Sequence, residues 1–351
     1  MFTVTKFIPS LFGHSSVKKL VAGMIQENPL LRIVDLHTYF YLEGGIARAV
    51  DGIDLLLGRG MTLGLVGESG CGKTVTGLSI LRLVPVPPAR IDRGQIIFEG
   101  TDLLKLEREE IRDIRGNQIS MIFQEPMSSM NPAFSVGFQV AEVIRRHQKV
   151  SKKKALDLVV EIFQKVGISD PDRRIEEYPH QLSGGMIQRV MIAMALSCNP
   201  RLVIADEPTT ALDVTIQAQI LDIMRRLKEE TATSVLLITH DLGVIAEMAD
   251  SVAVMYTGKI MEYSGNEDFF ERPLHPYTLG LMNSIPRIDT PVPEDRLLQA
   301  IPGIVPSLLK LPHGCSFRDR CDTSGDICGK KAPPLFEVRA GHFVRCWQYE
   351  Q

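Results

Sequence analysis

The run Gly67-Glu68-Ser69-Gly70-Cys71-Gly72-Lys73-Thr74 constrains this chain more than any other feature. It follows the apolar stretch Met61 to Val66 and precedes the helix-like Val75 to Leu81. A G-x-x-x-x-G-K-[ST] loop between a strand and a helix is the context in which such a loop cradles phosphates. Its glycines let the backbone close tightly, and successive N–H groups form an anion nest at the positive end of the helix. Lys73 is placed to reach the β- and γ-phosphates, and the Thr74 hydroxyl to ligate Mg²⁺. A nucleoside triphosphate is therefore the expected ligand.

Composition narrows the classes. The 351 residues suit one large domain with an appendage, or two domains. A net charge of −3 carries no basic footprint, and no nucleic-acid partner is expected. Lys152-Lys153-Lys154 is the one dense basic run and reads as a solvated helix start. No uncharged stretch approaches the roughly 20 apolar residues a membrane helix needs. Met1 to Pro29 has no continuous apolar block, so a signal peptide is not expected. The expected location is cytoplasmic, with any membrane role exercised by docking on another chain.

Residues 1–30 read as an irregular extension. Strands are expected at 31–34, 49–57 and 94–99, with a turn at Pro85-Val86-Pro87-Pro88. Helical spacing covers 103–115 and 137–167, the latter through Val140, Val143, Ile144, Leu156, Val159, Ile162 and Phe163. The runs 202–205 and 235–239 are apolar without alternation, as in strands buried on both faces of a parallel sheet. A helix at 215–230 joins them, which makes an α/β unit. From about 266 the chain is rich in proline and reads as a loop-rich appended domain.

Asp206 and Glu207 end the apolar strand. An acidic residue there can hold Mg²⁺, and its neighbour can orient or deprotonate the attacking water. Leu182-Ser183-Gly184-Gly185-Met186 opens another helical stretch, with its N–H groups ready for phosphate. With this run the chain resembles the ABC ATPases, whose signature is L-S-G-G-x, over roughly residues 31–265. The resemblance implies an α/β fold: a P-loop core with a RecA-like parallel sheet, an antiparallel β subdomain, and a helical subdomain at about 125–195. It implies that two subunits meet head to tail, so that Ser183, Gly184, Gly185 and Met186 of one cover the ATP held by Gly67 to Thr74 of the other. Gln124 matches the glutamine that touches Mg²⁺ and the attacking water. Asp213, in Ala211-Leu212-Asp213, matches a loop between subunits, and His240 the histidine that contacts the γ-phosphate. Mg²⁺ falls to Thr74, Gln124 and Asp206, catalysis to Glu207, His240 and Gln124, and adenine stacking to Phe40, between Tyr39 and Tyr41. Ile187 is a departure, since the most similar subfamily usually has arginine there.

Cys315, Cys321, Cys328 and Cys346 are spaced C-x5-C-x6-C-x17-C. Such density in a reducing compartment points to a metal or cluster. Zinc favours tight C-x2-4-C pairs, absent here, whereas looser spacing accommodates a [4Fe–4S] cluster. The cluster is the expectation, with zinc or free thiols as alternatives; Cys71 and Cys198 read as packing residues. Gly314-Cys315-Ser316-Phe317-Arg318-Asp319-Arg320-Cys321, His275-Pro276-Tyr277-Thr278 and Tyr178-Pro179-His180-Gln181 resemble the ATPase subunits of dipeptide/oligopeptide importers. That resemblance implies a cluster-binding C-terminal domain over 266–351. It also implies two transmembrane permease subunits, a second related ATPase, and an extracytoplasmic substrate-binding protein, with this chain on the cytoplasmic face. Other cargoes of the subfamily, namely nickel, glutathione and oligosaccharides, stay open. A soluble ABC ATPase of repair or translation is the competing class. Against it stand the single phosphate loop and an interval from Thr74 to Ser183 too short for a coiled-coil insertion.

Overall fold

The computed structural model describes residues 29–210, 212–284 and 301–350. The expected extension up to residue 28, Ala211, and Pro286, Pro291 and Pro293 lie outside the described residues. Strands β1 (Leu31–Leu42), β2 (Gly45–Leu57), β4 (Ala89–Phe98) and β5 (Thr101–Asp102) form an antiparallel sheet in the order β2-β1-β4-β5. β3 (Thr62–Val66), β6 (Ile119–Ile122), β7 (Leu202–Asp206) and β8 (Ser234–Ile238) belong to a second sheet with β9 (Ser251–Tyr256), β10 (Lys259–Gly265), β11 (Phe336–Arg339) and β12 (His342–Val344). Its order is β11-β12-β10-β9-β3-β8-β7-β6. From β6 through β9 the pairing is parallel, and from β9 outward it turns antiparallel.

The uninterrupted apolar runs have the cause expected of them. β3, β7 and β8 are buried along their whole length. Leu202, Ile204, Leu236 and Ile238 face the core shared with the antiparallel sheet. Val203, Ala205, Val235 and Leu237 face the core under the helices. Period-two geometry thus persists in strands whose composition hides it.

Helices depart from the sequence reading at their boundaries. The stretch 137–167 is two helices, Val136–Gln148 and Lys152–Lys165, because Lys149 closes the first in the left-handed region and Ser151 caps the second. The stretch 103–115 divides into a short 3-10 turn at Leu103–Lys105 and the helix Arg108–Ile114, whose start is fixed by reciprocal side-chain caps between Glu107 and Glu110. Lys152, Lys153 and Lys154 are exposed in a first helical turn. Ile187 is fully buried, so the residue in the arginine position makes core contacts. Among the described residues no helix is long and apolar enough to cross a membrane.

The C-terminal region is more than loop. Its hairpin β11–β12 extends the central sheet, with Glu262 opposite Val344 and Tyr263 opposite Phe343. Beneath that seam the His342 Nε2 lies 2.7 Å from a Glu262 oxygen, both side chains being wholly buried. The backbone N–H groups of Leu274 and His275 donate to the same carboxylate. Burial alone would raise the Glu262 pKa, but these bonds hold it below the usual range. Replacing Phe343, 1% exposed, with alanine leaves a cavity worth roughly 3–5 kcal/mol. Hydrogen exchange in β10 and β12 should then accelerate while β7 and β8 stay protected.

Candidate nucleotide site

The phosphate loop sits where the two sheets meet. Gly67 (φ 152°) ends β3, and Gly72 (φ 112°) caps the helix Lys73–Ile80. A Cβ on Gly67 would overlap the Met255 carbonyl of β9, and one on Gly72 the Ala49 carbonyl of β2. Both positions therefore need glycine for contact as well as conformation. Lys73 is 5% exposed, and its ammonium donates to the carbonyls of Gly67 (2.7 Å) and Glu68 (3.0 Å). The Cys71 thiol is buried 3.8 Å from that ammonium, and burial raises its pKa.

Thr74 Oγ1 donates to Asp206 Oδ1 at 3.1 Å, so the two expected magnesium oxygens are neighbours across the helix–strand boundary. Burial pushes the Asp206 carboxyl up to about 6; the Thr74 bond and the Lys73 charge oppose this and the Glu207 charge adds to it. Hard oxygens in this arrangement fit a magnesium ion.

Glu207 is the hub of the site. It lies in the left-handed region at φ 48°, a conformation that non-glycine residues adopt chiefly where the surroundings over-determine them. Its backbone N–H donates to the Ile238 carbonyl at 2.8 Å. One carboxylate oxygen accepts from Gln124 Nε2 at 3.1 Å and from Thr210 Oγ1 at 2.8 Å. The other lies 3.1 Å from His240 Nδ1. Burial would raise its pKa, but the bonds to His240 and Thr210 and the charges of His240 and Lys73 outweigh it and hold the carboxyl below the usual range. The result is an ionised, oriented carboxylate beside the phosphate loop, able to accept a proton. Gln124, Glu207 and His240, far apart in sequence, are thus brought together.

The remaining expected residues stand apart from this cluster. Ser183 caps the helix Gly184–Leu196, and Ser183 and Gly184 are exposed, so the signature backbone faces outward. Gly185 and Met186 are half-buried, and a Cβ on Gly185 would touch Ile216. Asp213 caps the helix Val214–Thr231 by accepting from the Ile216 N–H at 3.0 Å. Phe40 pairs with Ala47 and Ala89 within β1 and is half-buried. The flanking hydroxyls of Tyr39 and Tyr41 are committed to Asp51 and Asp92.

Two residues escaped the sequence reading. Thr210, three residues after Glu207, is a donor to the hub carboxylate. Gln188, 3% exposed in the signature helix, donates to the Pro208 carbonyl at 2.6 Å and so ties that helix to the segment following Glu207. The i+3 spacing from Glu207 was the available signal for Thr210; Gln188 had none beyond its place in an otherwise apolar helix.

Cys315, Cys321, Cys328 and Cys346 line a single cavity of about 180 Å³ with Phe317, Ile327 and Trp347. The Cys315 N–H donates to the Cys328 carbonyl at 2.8 Å, and Gly314, at φ 83°, leaves no room for a Cβ against that carbonyl. Burial, with the other three thiols adding, pushes the Cys315 thiol up to about 11. Four thiolates here would need a cation to offset them. Among the described residues no three His, Cys, Asp or Glu stand close enough together to grip one metal ion. Cys71 is buried in the phosphate loop and Cys198 half-buried just after a helix.

A family model described as "ABC transporter" matches residues 50–210, and one described as "Oligopeptide/dipeptide transporter, C-terminal region" matches 261–328. A probable peptide ABC transporter ATP-binding protein of Sinorhizobium fredii is 50% identical over 328 residues, 92% of this chain and 97% of that protein. The oligopeptide transport ATP-binding protein OppD of Bacillus subtilis is 48% identical over 324 residues, 92% of this chain and 90% of that one. Among solved structures, the ATP-binding cassette MJ0796, dimeric in a post-hydrolysis state with ADP and Pi, superposes with a TM-score of 0.61. That likeness, at 24% identity over 67% of this chain and 98% of the other, speaks to the fold, which is that of an ABC cassette.

Because a methyl group at position 72 meets the Ala49 carbonyl, Gly72→Ala should displace the loop. Its affinity for a fluorescent ATP analogue should fall by at least about tenfold, while circular dichroism stays that of the parent.

Proposed function

This chain belongs to the peptide-transport branch of the ABC transporter ATPases, and on that footing we propose how its residues divide the work. It hydrolyses ATP to power transport, and the relatives make peptides the cargo class. The loop Gly67 to Thr74 cradles the phosphates, with Lys73 turning from the loop's carbonyls to the β- and γ-oxygens. Phe40 stacks on adenine. Thr74, Asp206 and Gln124 hold Mg²⁺, which supplies positive charge to the phosphoryl oxygens when bound. Glu207 takes the proton of the attacking water, and Gln124, Thr210 and His240 orient that carboxylate. The observation that carries this division is the convergence of Gln124, Thr210 and His240 on the two oxygens of Glu207.

Ser183 and Gly184, exposed at a helix start, cover the ATP of a second, related ATPase subunit, with Asp213 beside them in the joint. Each ATP then bridges two subunits, and its hydrolysis releases them as a stroke. Two permease subunits receive that stroke at the cytoplasmic face of the membrane, and a substrate-binding protein delivers cargo on the other side. The surface after Gln124 suits the permeases: Met127, Phe134 and Phe138 are exposed, with the two phenylalanine rings stacked 5.0 Å apart. Residues 31–265 act as the nucleotide-binding unit and 266–351 as a C-terminal region that holds a [4Fe–4S] cluster on its four cysteines. The observation that supports this reading is that the four cysteines share one cavity.

Glu207→Gln should retain ATP binding and lose roughly 10²–10⁴-fold in turnover, measured as phosphate release at saturating ATP; a normal rate would remove Glu207 from the role of base. Anaerobically purified protein should carry about four irons and four sulfides per chain with a broad visible band. Cys315→Ser with Cys321→Ser should abolish both while ATP affinity persists; retained iron would place the ligands elsewhere.

A further inference from the structure

The C-terminal region reaches into the phosphate loop. Arg320 lies in the 3-10 turn Arg318–Arg320, and its side chain is 4% exposed. Its guanidinium forks onto Glu68, Nη1 to Oε2 at 2.7 Å and Nη2 to Oε1 at 3.0 Å. The Nε donates to the Pro302 carbonyl at 2.9 Å, which fixes the plane of the fork. The Glu68 backbone is held as well, its N–H donating to the Tyr277 hydroxyl at 2.8 Å. Tyr277 is wholly buried and packs with Tyr256 and Phe317 at centroid separations of 4.7 and 5.3 Å.

Glu68 is not a peripheral residue of the loop. Its carbonyl accepts from Lys73 Nζ at 3.0 Å and from the Cys71 N–H at 3.3 Å. A shift of Glu68 therefore moves an acceptor on which the phosphate-binding ammonium rests. Among the described residues the Glu68 side chain pairs with Arg320 and its backbone N–H with Tyr277, and both partners come from beyond residue 265. Bidentate pairing to a shielded guanidinium is directional, so the anchor specifies orientation as well as attraction.

We propose that Arg320 and Tyr277 are positioning residues for the phosphate loop, acting through Glu68, so that the C-terminal region sets the affinity of the site for ATP. This rests on the reading of residues 67–74 as the nucleotide loop. Cys321 follows Arg320 directly and Cys315 opens the same segment, so the cysteine-lined cavity and the phosphate loop are joined by one short piece of chain.

The test uses the full chain in its transporter complex, with Arg320→Met, Arg320→Lys, Glu68→Gln, Tyr277→Phe and the double variant Arg320→Met/Glu68→Gln. Equilibrium binding of a fluorescent ATP analogue with Mg²⁺ is measured beside KM, kcat and the melting temperature. Arg320→Met and Glu68→Gln should each weaken binding by about tenfold, the loss falling on KM more than on kcat. The double variant should be no worse than the worse single, since each removes the same fork. Arg320→Lys should recover part of the loss, and Tyr277→Phe should weaken binding less. Wild-type affinity in a folded Arg320→Met, or additive losses in the double variant, would overturn the proposal. If Arg320→Met does not fold, Glu68→Gln decides alone, because its substitution leaves every C-terminal side chain in place. Failure of the parent protein to bind the analogue would instead strike the nucleotide loop itself.

Discussion

Everything at the working end depends on two close backbone contacts, Gly67 against the Met255 carbonyl and Gly72 against the Ala49 carbonyl. They press the phosphate loop into the junction between the parallel strands and the antiparallel sheet. From there the helix Lys73–Ile80 starts with its N–H groups facing the cradle and Thr74 against Asp206. The chain turns so tightly that no side chain fits at either point. A flexible loop would have to be ordered by each incoming nucleotide, and the affinity would fall by that ordering cost.

Around this cradle the catalytic groups are delivered by strand ends. β7 carries Asp206 and is followed at once by Glu207, β8 leads to His240, and β6 leads to Gln124. Neighbouring parallel strands in one sheet end at one edge, so residues far apart in sequence converge there. The left-handed backbone at Glu207 and its three side-chain partners hold the carboxylate at one orientation. Pre-orientation of this kind lowers a barrier without any motion at the moment of reaction.

Local chemistry was legible in the sequence and long-range chemistry was not. The phosphate loop, the acidic strand end and the signature announce themselves because each needs particular residues at fixed short spacing. The parallel strands were readable as apolar runs, although their two faces were not. Helix boundaries at Lys149 and Glu107 turned on caps that periodicity does not weigh. The Arg320–Glu68 fork joins residues whose pairing nothing in the local pattern marks. The hairpin β11–β12 hid in a proline-rich tail because its partner strand, β10, lies so much earlier in the chain. The four cysteines were readable as a group; their sharing of one cavity depends on the turn at Gly314 and on packing around Phe317.

The most direct measurement is a structure of the assembled ATPase pair with a non-hydrolysable ATP analogue and Mg²⁺. Lys73 should leave the carbonyls of Gly67 and Glu68 for the β- and γ-phosphates, and the metal should open the Thr74–Asp206 bond and lie between them. The oxygens of Glu207 should face the γ-phosphate through one water, with the Arg320–Glu68 fork retained. A nucleotide bound with Lys73 still on the loop's own carbonyls, or with Glu207 turned from the γ-phosphate, would contradict the division of labour drawn from these residues.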